Sequence, residues 1–480
     1  MSGRGRPTAL ELAAEIRAGK VTSYELTEEA LARVEEVQRN LNAFTDVWAE
    51  EALLRAREVD SAIRAGRLNT PLAGIPIAIK DNICTKGFPT TVASKILCNY
   101  IPPYNAFAYE KVLSAGLVAV GKTNLDEFAM GSSSETSCFG PVRNPHDREY
   151  SPGGSSGGSA SAVGGGAVLL ALGSDCGGSI RQPAAFCGAV GVKPSYGLVS
   201  RYGLVSFIPS TDQIGPVADN VGDCAALLSV IAGNDPRDTN SIPGDREDYL
   251  SALDGEVKGW KVGLLRGWLS GVEEEIKGAV EGACQALAEL GCQVEEVELP
   301  TSGHAVATYY LLADAEASSN LARFDGVNFG LREGDGGSLR EMLEESRGQG
   351  FGAEVKRRIM VGTFILSHGY KERYYKKALS VRERMRSEFE EVFENYQALL
   401  CPVSPTPPFK IGEKIDEPLQ MYLADKFVCP INLVGICGLS LPWGETGNGL
   451  PLAVQLIGPV LGEGAILRLA KRLEEVRAGK

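Results

Sequence analysis

Gly173-Ser174-Asp175-Cys176-Gly177-Gly178-Ser179 is the stretch on which the reading of this chain turns. It places a serine directly after a Gly-Gly pair, so consecutive backbone N–H groups stand unobstructed beside a hydroxyl. Two further stretches belong with it. One is Pro152-Gly153-Gly154-Ser155-Ser156-Gly157-Gly158-Ser159, whose Ser155 precedes Ser179 by 24 residues; the other is Pro76-Ile77-Ala78-Ile79-Lys80-Asp81. Histidine, the usual base for a serine nucleophile, is nearly absent, with only His146, His304 and His368. A lysine-driven serine is the economical chemistry for such a set.

A serine hydroxyl is a poor nucleophile until a base takes its proton. Lysine serves as that base only when neutral, and burial among apolar neighbours lowers its pKa by disfavouring the charged form. Lys80 follows Ile75-Pro-Ile-Ala-Ile and is expected at the end of a buried strand; the bland alternative is a strand-end lysine snorkelling to solvent. An intervening hydroxyl relays the proton when lysine does not reach the nucleophile directly, and Ser155 suits that relay. The competing reading of its surroundings is a flexible Gly/Ser linker, but Ser159–Leu172 continues as a small-residue, apolar helical pattern. Ser179 is then the nucleophile, and the amides of Cys176, Gly177, Gly178 and Ser179 are the expected oxyanion donors. Loss of one such donor typically costs about 10²–10³ in rate. Arg181 and Gln182 read as structural, bracing the loop from its polar side.

Two better-known motifs match by letter and fail by mechanism. Gly116-Leu-Val-Ala-Val-Gly121-Lys122-Thr123 fits the phosphate-loop pattern, which needs a strand before the first glycine and free amides between the glycines. Here a helix precedes Gly116, and Leu-Val-Ala-Val is itself a strand. Gly153-Gly154-Ser155-Ser156-Gly157 fits the nucleophile elbow of α/β-hydrolases, which needs an apolar strand immediately upstream. What stands upstream is the polar, turn-rich Asn144–Pro152. His304 and His368 remain open as partners on sequence grounds.

Together, residues 151–160 and 172–184 resemble the amidase signature family. The resemblance runs from about residue 5 to residue 475 and implies an α/β fold, a single large α/β/α sandwich around a mixed sheet. It implies Lys80 as base, Ser155 as relay on a cis peptide, and Ser179 as the acyl-forming nucleophile. Cys176 departs from the family's usual threonine; its amide serves equally, and its thiol is a candidate for modification. Residues 126–132, 235–241, 315–326 and 355–364 are similar to the glutamine-using branch of the family, which works within tRNA-dependent amidotransferases. By that resemblance Arg358 grips the α-carboxylate of glutamine, Asp425 holds its α-ammonium, and Tyr309 lines the pocket with Met130 and Gly131. Tyr310 adjoins Tyr309 and Arg357 adjoins Arg358, so each assignment could slip by one. The same resemblance implies a heterotrimer with B and C subunits and a misacylated Glu-tRNA(Gln) reached through the complex. ATP and Mg are then used by a partner, with no cofactor or metal on this chain. A stand-alone amidase acting on small amides is the alternative enzyme, and an inactive scaffold the non-enzyme reading.

The rest of the chain sets the frame. Its 480 residues, 44% hydrophobic, bury a large core, and its 57 glycines are about 12% of the chain against an average near ~7%. A formal net charge of −13 argues against a broad phosphate-binding surface. The 11 cysteines have no zinc-ligand spacing and read as small core residues in a reducing compartment. Met1-Ser-Gly-Arg-Gly-Arg-Pro lacks the apolar stretch of a secretory signal, which predicts a cytoplasmic protein without membrane contact. Thr22-Ser23-Tyr24-Glu25 is a capping box opening an amphipathic helix, and residues 8–65 read as helices packed on the chain's own core. Ala106–Ser114 reads as a helix closed by Gly116. Val262–Leu265, Val272–Leu290 and Gln293–Leu299 form a strand-helix-strand unit. Asn234–Gly255 reads as a loop, Gly369–Tyr396 as a long charged helix, and Cys401–Phe409 as a rigid proline-rich connection. The chain reads as one domain over 1–480: an N-terminal block at 1–65, a core bearing the serines and lysine at 66–230, and a substrate-pocket half at 231–480.

Overall fold

Apolar side chains point to opposite faces in turn along the central strands, and this alternation builds the layers. The computed structural model describes residues 6–244, 247–334 and 337–479. The first five residues and positions 245–246, inside the expected loop 234–255, lie outside them. Among the described residues eleven strands join one sheet. They are β1 (Phe44–Val47), β2 (Pro76–Lys80), β3 (Val118–Thr123), β4 (Leu170–Asp175), β5 (Val190–Lys193), β6 (Gln213–Ala218), β7 (Lys261–Leu264), β8 (Gln293–Glu296), β9 (Ala398–Pro402), β10 (Cys437–Glu445) and β11 (Pro451–Gly458). Their order is β1-β3-β2-β4-β6-β5-β10-β11-β9-β7-β8. β3, β2 and β4 run parallel, as do β9, β7 and β8, while the central pairs are antiparallel.

Ile77, Ile79, Leu170, Leu172, Leu439, Leu441, Val454 and Leu456 share one face and one continuous apolar cluster. Helices Val221–Ile231, Glu274–Glu289 and Glu463–Gly479 cover that face through Leu227, Leu287 and Leu467. Ala78, Val118, Val120 and Ala171 point the other way, against helices Ser23–Leu41, Ala49–Arg64 and Gly157–Gly164. Farther along that second face Leu399, Cys401 and Ile457 meet helices Ala305–Asn320 and Lys376–Phe393. The result is the expected α/β/α sandwich around a mixed sheet.

Local chemistry explains where the elements begin. Thr22 caps its helix by accepting the Glu25 N–H at 3.1 Å, while its own N–H donates to the Glu25 carboxylate at 2.8 Å. Gly116, at φ +78°, follows helix Phe107–Ser114, and an added Cβ there would lie 2.3 Å from Leu68 Cδ2. β7, helix Glu274–Glu289 and β8 form the expected parallel strand-helix-strand unit. β3 takes in Val118-Ala-Val of that motif and runs to Thr123 with Lys122 fully buried, so most of the phosphate-loop match is strand.

Four expectations need correction. The N-terminal block is not all helix: β1 pairs antiparallel with β3. The helix at Gly157 ends at Gly164, because two more glycines follow and Gly166 turns at φ +75°; Leu170–Leu172 is then strand. Cys401 and Pro402 close β9, so the proline-rich connection begins at Val403. The long charged helix is Lys376–Phe393, preceded by a π turn at Lys371–Tyr375 after Gly369 at φ +80°.

Arg181 ties the sheet to its neighbours and is fully buried rather than on a polar side. Its guanidinium donates to Asp175 through Nε and Nη2, both at 3.1 Å, to Gln455 Oε1 at 2.6 Å, and to Val428 C=O at 3.0 Å. It thereby links the end of β4 to β11 and to helix Cys429–Val434. Among the described residues no helix is long and apolar enough to cross a membrane.

Two outcomes follow from this packing. Arg181→Met removes the countercharge of a buried carboxylate, and is expected to lower unfolding free energy by about 3–5 kcal/mol in chemical denaturation. All 11 cysteines are free thiols, with Cys98 and Cys138 exposed and Cys176 buried, its thiol pushed up to about 12 by burial. Native-state alkylation read by peptide mass spectrometry is therefore expected to mark Cys98 first and to leave Cys176 unmodified.

Candidate active site

Because β2 and β4 are parallel neighbours with Ile79 opposite Leu172, both deliver their C-terminal ends to the same place. Lys80 ends β2 on the face opposite Ile77 and Ile79, the face covered by the helix that starts at Gly157. Its amine is fully buried and lies 2.8 Å from Ser155 Oγ, 2.8 Å from Ser156 Oγ and 2.9 Å from Ser174 Oγ. Ser174 C=O is a further acceptor at 3.2 Å. Among the described residues no carboxylate lies within ion-pair distance of it. Burial pushes the amine down to about 8, against the more distant pull of Cys176, Asp126, Asp175 and Asp212. The snorkelling alternative is excluded by this burial.

Ser155 follows a cis Gly154–Ser155 peptide. Glycine at 154 is a matter of space: a Cβ would stand 2.1 Å from Asp126 Oδ2 and 2.7 Å from Ser133 N. The Gly154 N–H donates to Gln182 Oε1 at 2.9 Å, and Gln182 Nε2 donates to Ser132 C=O at 3.0 Å. Gln182 thus braces the Ser155 loop from within the core. Ser155 and Ser179 are joined through the backbone, Ser156 N–H donating to Ser179 C=O at 3.0 Å; their hydroxyls make no hydrogen bond to each other in this structure.

The loop from Cys176 to Ser179 is shaped by Asp175. Its carboxylate accepts the amides of Gly178 at 2.7 Å and Ile180 at 3.1 Å, together with Arg181 and Asn432 Nδ2 at 2.9 Å. Burial opposes the charge of Asp175, but the Arg181 guanidinium overrides it and holds the carboxyl well below the usual carboxylate range. The Gly178 amide is therefore already engaged, which leaves those of Cys176, Gly177 and Ser179 of the four expected oxyanion donors. Tyr309 packs against this loop so closely that a Cβ on Gly177 would lie 2.4 Å from Tyr309 Cζ.

Ser179 opens onto a small cavity walled by Gly131, Ser132, Tyr309, Tyr310, Arg358 and Asp425. Both tyrosines therefore belong to it. The adjacent arginines part company: Arg358 is buried, while the Arg357 side chain is 43% exposed. Arg358 Nε donates to Glu354 Oε1 at 2.7 Å, and its guanidinium lies 5.0 Å from the Tyr310 ring centroid and 5.3 Å from that of Tyr422. Asp425 accepts from Tyr310 OH at 2.7 Å and from the Ser132 hydroxyl at 2.8 Å. Burial pushes its carboxyl up to about 7, partly offset by these hydrogen bonds and by Arg358. Met130 is fully buried in the apolar cluster beside the cavity, whose wall is formed by its neighbours Ala129, Gly131 and Ser132. A second cavity of about 340 Å³ leads outward past Glu354, Arg357, Tyr422 and Asp416.

Sequence reading did not find Ser156, Ser174, Ser132, Glu354 or Tyr422. Ser156 and Ser174 stand inside the quoted stretches and carried a signal in their hydroxyls; Glu354 and Tyr422 gave none, because their place depends on distant packing. His304 and His368 are exposed, which removes the hydrolase elbow.

A fixed cation and anion thus share one small cavity with Ser179, and a desolvated amine ringed by hydroxyls lies behind the neighbouring Ser155 loop. Comparison with known proteins gives the family. The Amidase family profile matches residues 25–467. The A subunit of glutamyl-tRNA(Gln) amidotransferase from Desulforamulus reducens is 50% identical over 469 residues, covering 98% of this chain and 96% of the relative. The crystal structure of the corresponding Thermotoga maritima protein superimposes with a TM-score of 0.78 at 43% identity, over 94% of this chain and 91% of that one. A peptide amidase bound to the inhibitor chymostatin superimposes with a TM-score of 0.84 at 29% identity, over 99% and 98%. The chain belongs to the amidase family of enzymes.

Proposed function

We propose that this chain is the glutaminase subunit of a tRNA-dependent amidotransferase, releasing ammonia from glutamine by a Lys80–Ser155–Ser179 relay. One observation carries the reading: Ser179 lines one cavity with the Arg358/Asp425 pair, while its backbone is tied to the loop whose Ser155 hydroxyl meets buried Lys80. A zwitterionic amino acid needs one fixed cation and one fixed anion, and arginine binds carboxylate in bidentate fashion. Arg358 takes the α-carboxylate, Asp425 the α-ammonium, and the γ-amide is left facing Ser179. The Desulforamulus reducens relative, which bears the name of a glutamyl-tRNA(Gln) amidotransferase component at 50% identity, supports the same assignment.

In this reading Ser155 passes its proton to neutral Lys80 and receives that of Ser179, whose Oγ attacks the γ-carbonyl carbon. Amides of the 176–179 loop hold the oxyanion of the tetrahedral intermediate. The proton returns from Lys80 through Ser155 to the leaving nitrogen, the C–N bond breaks, and ammonia departs. Water then attacks the acyl-enzyme along the same relay and releases glutamate. B and C subunits complete a heterotrimer, and ammonia passes to the partner that activates Glu-tRNA(Gln) with ATP and Mg. This chain contributes no cofactor.

The deciding experiment is glutamine-dependent conversion of Glu-tRNA(Gln) by the reconstituted complex. Ser179→Ala is expected to cut it at least about a thousandfold, while ammonium chloride restores product. Strong partner-independent activity on simple aliphatic amides, with little on glutamine, would instead identify a stand-alone amidase.

The two shifted groups set the pH dependence. Lys80 must be neutral to act, so kcat/KM for glutamine is expected to climb about tenfold per pH unit up to an inflection near 8. Asp425 must be ionised to hold an ammonium, so below about 7 the slope steepens to about a hundredfold per unit, with the added loss appearing in KM. A profile flat from pH 6 to 9 contradicts both assignments.

A further inference from the structure

Asn82 stands two residues beyond Lys80, and no step above uses it. It is buried, and its Nδ2 donates to Ser174 Oγ at 2.8 Å. That same hydroxyl lies 2.9 Å from Lys80 Nζ. Asn82 Oδ1 is buried without a hydrogen-bond partner. A buried carbonyl left unpaired costs about 1–3 kcal/mol, so its place beside a base calls for a reason.

Donors and acceptors around the amine supply one. Neutral Lys80 has two N–H donors and one lone pair, and it faces three hydroxyls. Ser156 Oγ donates to Ser174 C=O at 3.1 Å, so it receives one lysine N–H. The second N–H has Ser174 C=O at 3.2 Å as a further acceptor, and of Ser155 and Ser174 only one can donate into the single lone pair. The relay works only when Ser155 is the donor. With Asn82 Nδ2 facing Ser174, the Ser174 hydrogen has the lysine lone pair as its acceptor, and Ser155 is displaced from it. A half-turn of the carboxamide exchanges two ends of nearly equal shape. Oδ1 then accepts from Ser174, and the lone pair is left to Ser155.

We propose that Asn82 is a positioning residue whose amide oxygen, turned toward Ser174, takes that hydroxyl's hydrogen and reserves the lysine lone pair for Ser155. The inference rests on Lys80 being the base. No bond to carbon is made or broken; only the direction of three hydrogen bonds changes.

The test is glutamine hydrolysis by the full chain with its partner subunits, comparing Asn82→Leu, Asn82→Asp, Asn82→Leu/Ser174→Ala and Lys80→Ala. Asn82→Leu cannot accept, and is expected to lower kcat about tenfold or more at unchanged KM. Adding Ser174→Ala removes the competing hydroxyl, and is expected to recover at least about threefold; a merely structural asparagine predicts a deeper loss instead. Asn82→Asp keeps the acceptor and adds a negative charge to those of Asp126, Asp175 and Asp212 that already act on Lys80. Its kcat plateau is expected within about threefold of the parent, with the pH inflection moved alkaline by about one unit. Wild-type kcat in Asn82→Leu, or a further fall in the double variant, overturns the inference. If Asn82→Leu does not fold, an unmoved inflection in Asn82→Asp overturns it. Full activity in Lys80→Ala defeats the reading of the base itself, whatever the Asn82 variants do.

Discussion

A lysine amine placed in a protein interior without a carboxylate must be housed by neutral acceptors, and that constraint organises the centre of this molecule. Lys80 meets three serine hydroxyls and one carbonyl instead of an anion. An ion pair would have kept it charged and useless as a base; apolar walls alone would have left its N–H groups unpaired. The three serines come from two segments, 155–156 and 174, which reach the amine only because β2 and β4 are parallel neighbours. The glycines around Ser155 let that loop lie against Asp126 and Ser133 with no room for a side chain.

Asp175 plays the opposite part. It is the carboxylate nearest in sequence to Ser179, yet its charge is spent on Arg181, Asn432 and the amides of Gly178 and Ile180. In the proposed mechanism, a free carboxylate there would repel the oxyanion assigned to the same loop. Neutralised by Arg181, it becomes the post around which residues 176–181 are wound. Two buried charges one strand apart are thus handled differently: the cation is starved of counterions and the anion is saturated with them.

Much of this was legible in the residues. Ile75–Lys80 announced a buried strand with a lysine at its end, and the Gly/Ser stretches announced close approach of backbone. The strand-helix-strand unit at 262–299 announced an α/β fold, and the sandwich around a mixed sheet was what the family resemblance implied. Less was visible where an element is set by its partners. β1 is four residues of mixed burial that become a strand only by pairing with β3, and Leu170–Leu172 looked helical because a buried parallel strand and a buried helix share the same apolar run. The pairs Tyr309/Tyr310 and Arg357/Arg358 were not separable from adjacent letters. Helix geometry separates the arginines by turning one inward, whereas both tyrosines reach the cavity, one against the loop at Gly177 and one against Asp425.

The groups around Lys80 all lie between residues 80 and 182, whereas Arg358, Tyr310 and Asp425 come from the stretch beyond β8. Much of that stretch is the run of helices between β8 and β9, laid over one face of the sheet. In the proposed function, bond-breaking and recognition are thus written in separate paragraphs of the chain. Such a layout lets the second paragraph be rewritten without disturbing the first. A peptide amidase of 29% identity keeps the frame over 99% of this chain. For an engineer, the boundary near residue 300 marks where a change of substrate is to be sought, with the proton relay left alone.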